Sequence, residues 1–300
     1  MFMKLPLSLE ALEVIDAIER KGSFAAAAAV LHKVPSAISY TVQKLEQDLG
    51  VTLFQKQGRR AVLSPAGQHL VDQGRQLLYA ADELAASTRQ VATGWEPRLR
   101  IAVDTIVPLP CVLPLVGALQ ALQPNIEISI ATEVLAGTWE ALMENRADLI
   151  IGGVGDIPGH KGLQCEHWRN IQHLFVAAPD HPLCGESAPI DLETVRQHRA
   201  VIIRDTSRNS TPLSKGILNQ QTSMYVPTME AKLEAHRAGL GVGYVPANQV
   251  AADIANGRLV ELTLAEPREA TQAVLAWRAG NQGQALHFML QQLRDSTVRV

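Results

Sequence analysis

The feature that most restricts what this chain can become is GSFAAAAAVLHKVPSAISYTVQKLEQDLGVTLF, from Gly22 to Phe54. Alanine has the best helix propensity and the smallest helix-forming side chain, so the alanine run predicts a helix that is short yet packs closely. Ser23 supplies its N-cap, and Gly22 accepts the left-handed geometry that ends the helix before it. That earlier helix opens at Ser8 and sets Leu9, Leu12, Ile15 and Ile18 on one stripe. After the break HKVP, Pro35 suits the first turn of a third helix, where its missing N–H costs nothing. With Ile38, Val42, Leu45 and Leu49 turned inward, Ser36, Ser39, Tyr40, Gln43 and Lys44 are left largely outward.

Two short helices joined by a three- or four-residue turn make a helix-turn-helix, whose second member enters the major groove of double-stranded DNA. The outward hydroxyl, amide and ammonium groups are those that contact base edges and phosphates. Ser23, at the start of the first helix of the pair, joins them as a candidate contact. Next comes VTLFQKQGRRAVLSPAG, in which two apolar-alternating runs flank a basic, glycine-containing turn. It predicts a hairpin wing with Lys56, Arg59 and Arg60 against the phosphate backbone. Charge agrees in sign: residues 1–63 hold eight Lys/Arg against six Asp/Glu, whereas the remainder holds nineteen against twenty-four.

At this level of detail the head resembles the winged helix-turn-helix of the LysR-type transcriptional regulators. The resemblance is carried by GSFAAAAAVLHKVPSAIS, KLEQDLGVTLF, the basic wing and LSPAGQHLV. Ser23, Phe24, Ala26, Ala27, Ser39, Leu45, Glu46, Leu49, Gly50, Leu53, Phe54, Ala66 and Gly67 match the family pattern. Two positions depart from it. Val34-Pro35 stands where the family commonly has Ser-Gln, and Tyr40 stands where an arginine commonly follows the serine. The family's glutamine-to-base contact therefore does not carry over, and the resemblance implies an operator unlike the family average.

Ser64-Pro65 repeats the pairing of an N-cap with proline at the first helical position. From Ala66 to about Ala92 the helical pattern is unbroken, with Leu70, Leu77, Leu78, Leu84 and Val91 on one side. So long a solitary helix needs a partner for that stripe. The resemblance implies a second subunit, giving a homodimer or homotetramer that reads half-sites about one helical turn or a multiple apart.

From Arg98 strands and helices alternate: LRIAVD, IEISIATEV and ADLIIGGV with helices between, then AVIIRD, SMYVP and GVGYVP. That alternation predicts βαβ units in two lobes. Two α/β lobes crossed twice by the chain resemble the effector-binding domain of the same family, itself similar to periplasmic binding proteins. The expected fold is thus α+β multidomain: a winged head over 1–63, a linker helix over 64–93, and an effector-binding domain over 94–300. Its first lobe covers about 98–168 and 271–300, and its second about 169–270. Ligands of such lobes lie at strand C-termini and helix N-termini. The effector-binding candidates are accordingly Thr105, Ile106, Gly137, Thr138, Thr206, Ser207 and Thr228, for a small molecule that is anionic or aromatic.

Other classes find less support. GGVGDIP and GLGVGYVP do not complete a dinucleotide pattern followed by a helix. No Gly-x-Ser-x-Gly elbow occurs, so no catalytic residue is named and no enzyme is expected. Cys165 and His167, with His160 and His173 nearby, lack a second ligand pair at zinc spacing, so neither metal nor cofactor is expected. Isolated histidines such as His181 and His236 are expected in turns or at the surface. Cys111, Cys165 and Cys184 are odd in number, which fits a reducing compartment. The N-terminus meets Pro6, Glu10, Glu13 and Asp16 before a signal core can form, and no apolar run reaches membrane-span length. A cytoplasmic regulator that acts on RNA polymerase is expected. A ligand-independent DNA organiser with the same head is the alternative, although such a protein needs no two-lobed cleft.

Overall fold

The computed structural model describes residues 6–57, 60–155, 162–209 and 217–296, with the backbone alone at 56, 57, 60 and 61. The chain divides into two compact units, Met1–Val91 and Ala92–Val300.

In the first unit, α1 (Leu9–Lys21) starts where Ser8 Oγ accepts from Ala11 N at 3.2 Å. It ends where Gly22, at φ 73°, donates its N–H to Ile18 O. Then come α2 (Phe24–Val30) and α3 (Pro35–Leu49). Ala27 and Ala28 are buried against α1 and α3, joining Ile15, Ile18, Ile38 and Val42 in one core. Leu9 is a correction to the expected stripe: it lies exposed, while Ala11 and Val14 are buried instead. A buried arc wider than a single stripe is what a helix packed on two neighbours requires.

The strands β1 (Phe54–Gln57) and β2 (Arg60–Leu63) pair antiparallel, with Gln57 opposite Arg60. They lead into α4 (Pro65–Thr93). Ser64 ties this corner together, its Oγ donating to Thr52 O at 2.6 Å and accepting from Gly67 N at 3.0 Å. Gly67 cannot be another residue there, because a Cβ would stand 2.2 Å from Leu53 O. Arg75 of α4 reaches Asp16 (2.5 Å) and Glu19 (2.7 Å) of α1.

The second unit is two lobes of one design. In the first lie β3 (Arg98–Asp104), α5 (Leu109–Leu122), β4 (Glu127–Glu133), α6 (Ala136–Met143), β5 (Leu149–Gly153) and β6 (Leu163–Ile171). The chain then crosses over for β7 (His173–Ala177), α7 (Leu192–Arg196), β8 (Ala200–Ile203), β9 (Ser223–Val226) and α8 (Met229–Arg237). The second lobe closes with β10 (Gly243–Pro246), α9 (Ala247–Ala255) and β11 (Val260–Glu261). The chain returns for β12 (Thr271–Arg278) and α10 (Gln284–Asp295).

The first sheet has the order β4-β3-β5-β12-β6, with β3 parallel to β4 and β5, and β12 antiparallel to its neighbours. In the second lobe β9-β8 is parallel and β10-β7-β11 antiparallel, and a bridge from Ala200 to Val242 joins the two sets. The arrangements correspond strand for strand. In each lobe the antiparallel fourth strand is the one that has just arrived from the other lobe. β6 remains in the first sheet through Ile171, paired with Thr271, so that sheet extends past the expected boundary at 168.

Parallel strands all point their C-terminal ends one way, so Asp104 and Glu133 of the first lobe fall at the junction with Asp205 and Thr206 of the second. His236 differs from expectation: it is fully buried, its Nδ1 hydrogen-bonded to Gly241 O at 3.0 Å.

Candidate functional site

In the first unit, the outward face of α3 is built by subtraction. Ile38, Val42 and Leu45 are buried, and Leu49 is half-buried beside them. Ser36, Tyr40 and Gln43 recur at helical spacing on the opposite side, all exposed, with Tyr40 65% accessible. Ser39 is half-buried, its hydroxyl donating to Pro35 O at 3.0 Å, and Lys44 is exposed on the flank. Gln47 continues the stripe one turn further and is exposed, a position the sequence reasoning missed although its spacing from Gln43 gives it away. Ser23 acts as the cap of α2, accepting from Ala26 N at 3.1 Å.

Glu46 holds the wing against this helix. Its Oε1 accepts from the backbone N–H of Leu53 (2.6 Å) and Phe54 (3.2 Å), so a side chain of α3 fixes where β1 begins. Phe54 then packs edge-on against Phe24 of α2 at 5.3 Å. Of the wing cations, Arg59 lies outside the described residues. Lys56 and Arg60 stand in β1 and β2, and their side chains lie outside the description as well.

Helix α4 has three of its apolar residues in the open: Leu77 (51% accessible), Leu84 (69%) and Val91 (89%). They recur every seven residues, the spacing of a coiled-coil seam.

In the second unit the lobes meet around the start of α6. The first N–H groups of a helix have no partner within it and carry the positive end of its dipole. Here carboxylates of the chain itself take them. Asp104, at the end of β3, accepts from Leu135 N (3.1 Å) and Thr138 Oγ1 (3.0 Å) with one oxygen, and from Ile106 N (3.1 Å) with the other. Asp205, from the second lobe, accepts from Ala136 N (3.3 Å), Gly137 N (3.1 Å) and Ser207 N (2.8 Å). Thr206 Oγ1 accepts from Val134 N at 2.9 Å and donates to the Glu133 carboxylate. Glu140 of α6 accepts from the N–H groups of Arg208 (2.9 Å) and Asn209 (3.0 Å). Burial pushes the Asp104 carboxyl up to about 6, against the downward pull of its hydrogen bonds.

Beside this clasp lies a cavity of about 230 Å³. The first lobe contributes Val103, Thr105, Val107, Pro108 and Leu109 from the β3–α5 connection, with Thr132 and Val134 of β4 and its end. The second lobe contributes Thr206, Pro227, Thr228, Met229, Glu230 and Gln249. Gln249 Nε2 bridges the lobes, donating to Thr105 O (3.0 Å) and Ile106 O (3.1 Å).

The seven effector candidates therefore divide. Thr105, Thr206 and Thr228 line the cavity. Gly137, Thr138 and Ser207 are engaged by Asp104 and Asp205. The backbone of Ile106 is taken at both ends, its N–H by Asp104 and its carbonyl by Gln249. Thr132, Met229 and Gln249 were missed: the β3–β4 pairing, Val103 opposite Thr132, brings the first to the cavity, and only the meeting of the lobes brings the other two. Among the described residues no cluster of three His, Cys, Asp or Glu is placed to hold a metal ion. No helix among them is long and apolar enough to cross a membrane.

Comparison with known proteins agrees with this geometry. Residues 9–68 match the family model for the bacterial regulatory helix-turn-helix protein, lysR family, and residues 92–297 match the LysR substrate binding domain. The chain is 40% identical over 287 residues to the probable HTH-type transcriptional regulator YhaJ of Escherichia coli (strain K12), covering 96% of each. It is 33% identical over 285 residues to the regulator PunR of the same strain, across 95% of this chain and 92% of that one. The crystal structure of full-length CbnR complexed with its target DNA superposes with a TM-score of 0.64 at 20% identity, over 96% of this chain and 99% of that one. At that identity the likeness is one of fold.

Proposed function

This chain belongs to the LysR family of bacterial helix-turn-helix transcriptional regulators, and from that premise we propose how it works. The outward face of α3 reads base edges in the major groove, with Tyr40 and Gln43 as its central contacts and Ser36, Ser39 and Lys44 around them. Ser23 and the wing residues Lys56, Arg59 and Arg60 hold phosphates. The observation that supports this most is the uncovered polar stripe of α3, backed by a core on one side and by a wing that Glu46 fixes in place.

The protein acts as a homodimer or homotetramer joined through the Leu77, Leu84 and Val91 seam of α4, which sets two α3 helices on successive half-sites. A small-molecule effector occupies the lobe-junction cavity, touching Thr105, Thr206 and Thr228. It acts by binding one arrangement of lobes or subunits more tightly than another, since only a difference in affinity shifts such an equilibrium. The consequence on DNA is a changed half-site spacing or bend, and with it altered recruitment of RNA polymerase. Gly137, Thr138, Ser207 and Ile106 act from behind the cavity by holding the lobes in register.

Titration of duplex DNA over a salt series tests the head. Wild type should show a steep linear fall of log affinity with log salt, and Arg59→Ala with Arg60→Ala should flatten the slope by about two. An unchanged slope removes the wing from the phosphate backbone.

A further inference from the structure

We infer that the lobe-junction cavity takes a compact, uncharged ligand and discriminates against a carboxylate of the same shape; this rests on the cavity being the effector site proposed above. Its walls are largely apolar, with Val103, Val107, Leu109 and Val134 facing Pro227 and Met229. Its polar groups are threonine hydroxyls, the Gln249 amide and the carboxylate of Glu230. Among the described lining residues there is no lysine, arginine or histidine. A carboxylate entering would shed water and meet no counter-charge, which is the condition under which burying an ion is most unfavourable.

Helix N-termini are the other means by which an anion is held. Of the four near this cavity, α9 begins after Pro246 and gives its Ala247 N–H to Gln172 O, and the other three are compromised. The α6 amides are bonded to Asp104 and Asp205. The first turn of α5 runs Pro108-Leu109-Pro110, and neither proline has an N–H to offer. Helix α8 carries Glu230 in its first turn, so a fixed negative charge already sits on its positive end. Asp104 and Asp205 stand behind the wall with their own hydrogen bonds and their field at the cavity repels a further anion, while Glu133 beside them is paired with Arg146.

An uncharged ligand meets the reverse situation. The Thr206 hydroxyl is committed to Val134 N and Glu133, but Thr228 Oγ1, which accepts from Ala231 N, keeps its O–H to donate, and Gln249, whose Nε2 is committed to two carbonyls, keeps Oε1 as an acceptor. At ~30 Å³ per water the cavity has room for roughly eight waters, and bonded atoms pack closer, so the ligand has about ten non-hydrogen atoms. A substituted aromatic ring bearing a hydroxyl or amide matches that size and pattern.

Benzamide and benzoate share a shape and differ in charge, so together they test this on the full-length protein at pH 7.5 by calorimetric titration. Thr132→Trp and Thr132→Tyr provide the control. Thr132 is an exposed residue of β4, an edge strand where aromatics are well tolerated, and either side chain would fill the cavity mouth. The expected result is a Kd for benzamide at least tenfold lower than for benzoate, with benzamide binding lost in both variants. Benzoate binding as tightly or more tightly, and lost in both variants, overturns the charge selectivity and leaves the cavity as the receptor. No binding of either probe at millimolar concentration, or binding unchanged in the variants, removes the cavity reading and this inference with it.

Discussion

Asp104 and His236 are buried side chains whose proton affinities move in opposite directions, and their effects on stability fall in the same pH range. Burial raises Asp104 from 3.8 to about 6, so the folded protein holds its proton more tightly than the unfolded chain does. Its contribution is fully present below about 4 and is lost as pH rises through about 6. Burial lowers His236 from 6.5 to about 4, and its stabilising contribution is present above about 6.5 and lost as pH falls through about 4. Relative to wild type, Asp104→Asn should therefore gain about 2 kcal/mol between pH 4 and pH 6, on top of any constant loss. His236→Phe should gain a similar amount in the other direction, as pH falls from 6.5 to 4. Urea unfolding of the intact protein across that range measures both. A difference from wild type that does not vary with pH would show that the residue does not titrate there. Little of this was legible in the sequence. The spaced glycines of GLGVGYVP gave no sign that Gly241 O takes the His236 imidazole, and of the four donors on Asp104 two, Leu135 N and Thr138 Oγ1, come from 31 and 34 residues away. Tyr40 was legible, because an exposed position follows directly from the periodicity of the buried ones. Tyr40→Ala should change which operators are preferred more than it changes affinity for random DNA, as read by competition binding. An equal loss on all sequences would make Tyr40 a backbone contact.

At the scale of elements, the head was readable because each helix carries its own boundary signals. Ser8, Gly22, Ser23 and Pro35 stand where α1, α2 and α3 begin or end. Helix α6 has no such signal. It begins after Leu135, a non-glycine residue at φ 53°, and the carboxylate of Asp205, 68 residues away from Gly137, serves as its cap. A cap contributed by another lobe leaves no mark in the local sequence. Gly137 is fixed by the same contact, since a Cβ there would lie 2.0 Å from Thr206 Oγ1 and 2.8 Å from backbone. Gly137→Ala should force the lobes to shift at this point and lower the stability of the second unit by about 1–3 kcal/mol, the usual cost of overpacking. Differential scanning calorimetry of the intact protein checks it, and an unchanged transition would mean that the clasp yields freely. Helix α4 makes the complementary case: its heptad of Leu77, Leu84 and Val91 was visible in the sequence, and the structure leaves it uncovered. Leu84→Glu should convert the dimer to monomer and weaken operator binding at least tenfold, measured by sedimentation and gel shift. A variant that stays dimeric would place the subunit contact elsewhere.

The molecule as a whole repeats one lobe design with exchanged strands, β12 returning to the first sheet and β7 entering the second. Strand–helix alternation revealed that there were two lobes. It did not reveal which residues face the junction, because neighbours such as Thr105 and Gln249 lie 144 positions apart. The distinction between the clasp and the cavity follows from the same cause: Gly137 and Thr206 looked equivalent in sequence, and only the packing gives Gly137 to the clasp alone and Thr206 to both. Joining the two ends of the chain in one function requires that a pair of α3 helices read DNA together. Selection of random duplexes by the full-length protein, followed by sequencing, tests this most directly. It should enrich pseudo-palindromic sites whose half-site centres lie about 10 base pairs or a multiple apart. Enrichment of isolated half-sites, or of no sequence above background, would contradict it.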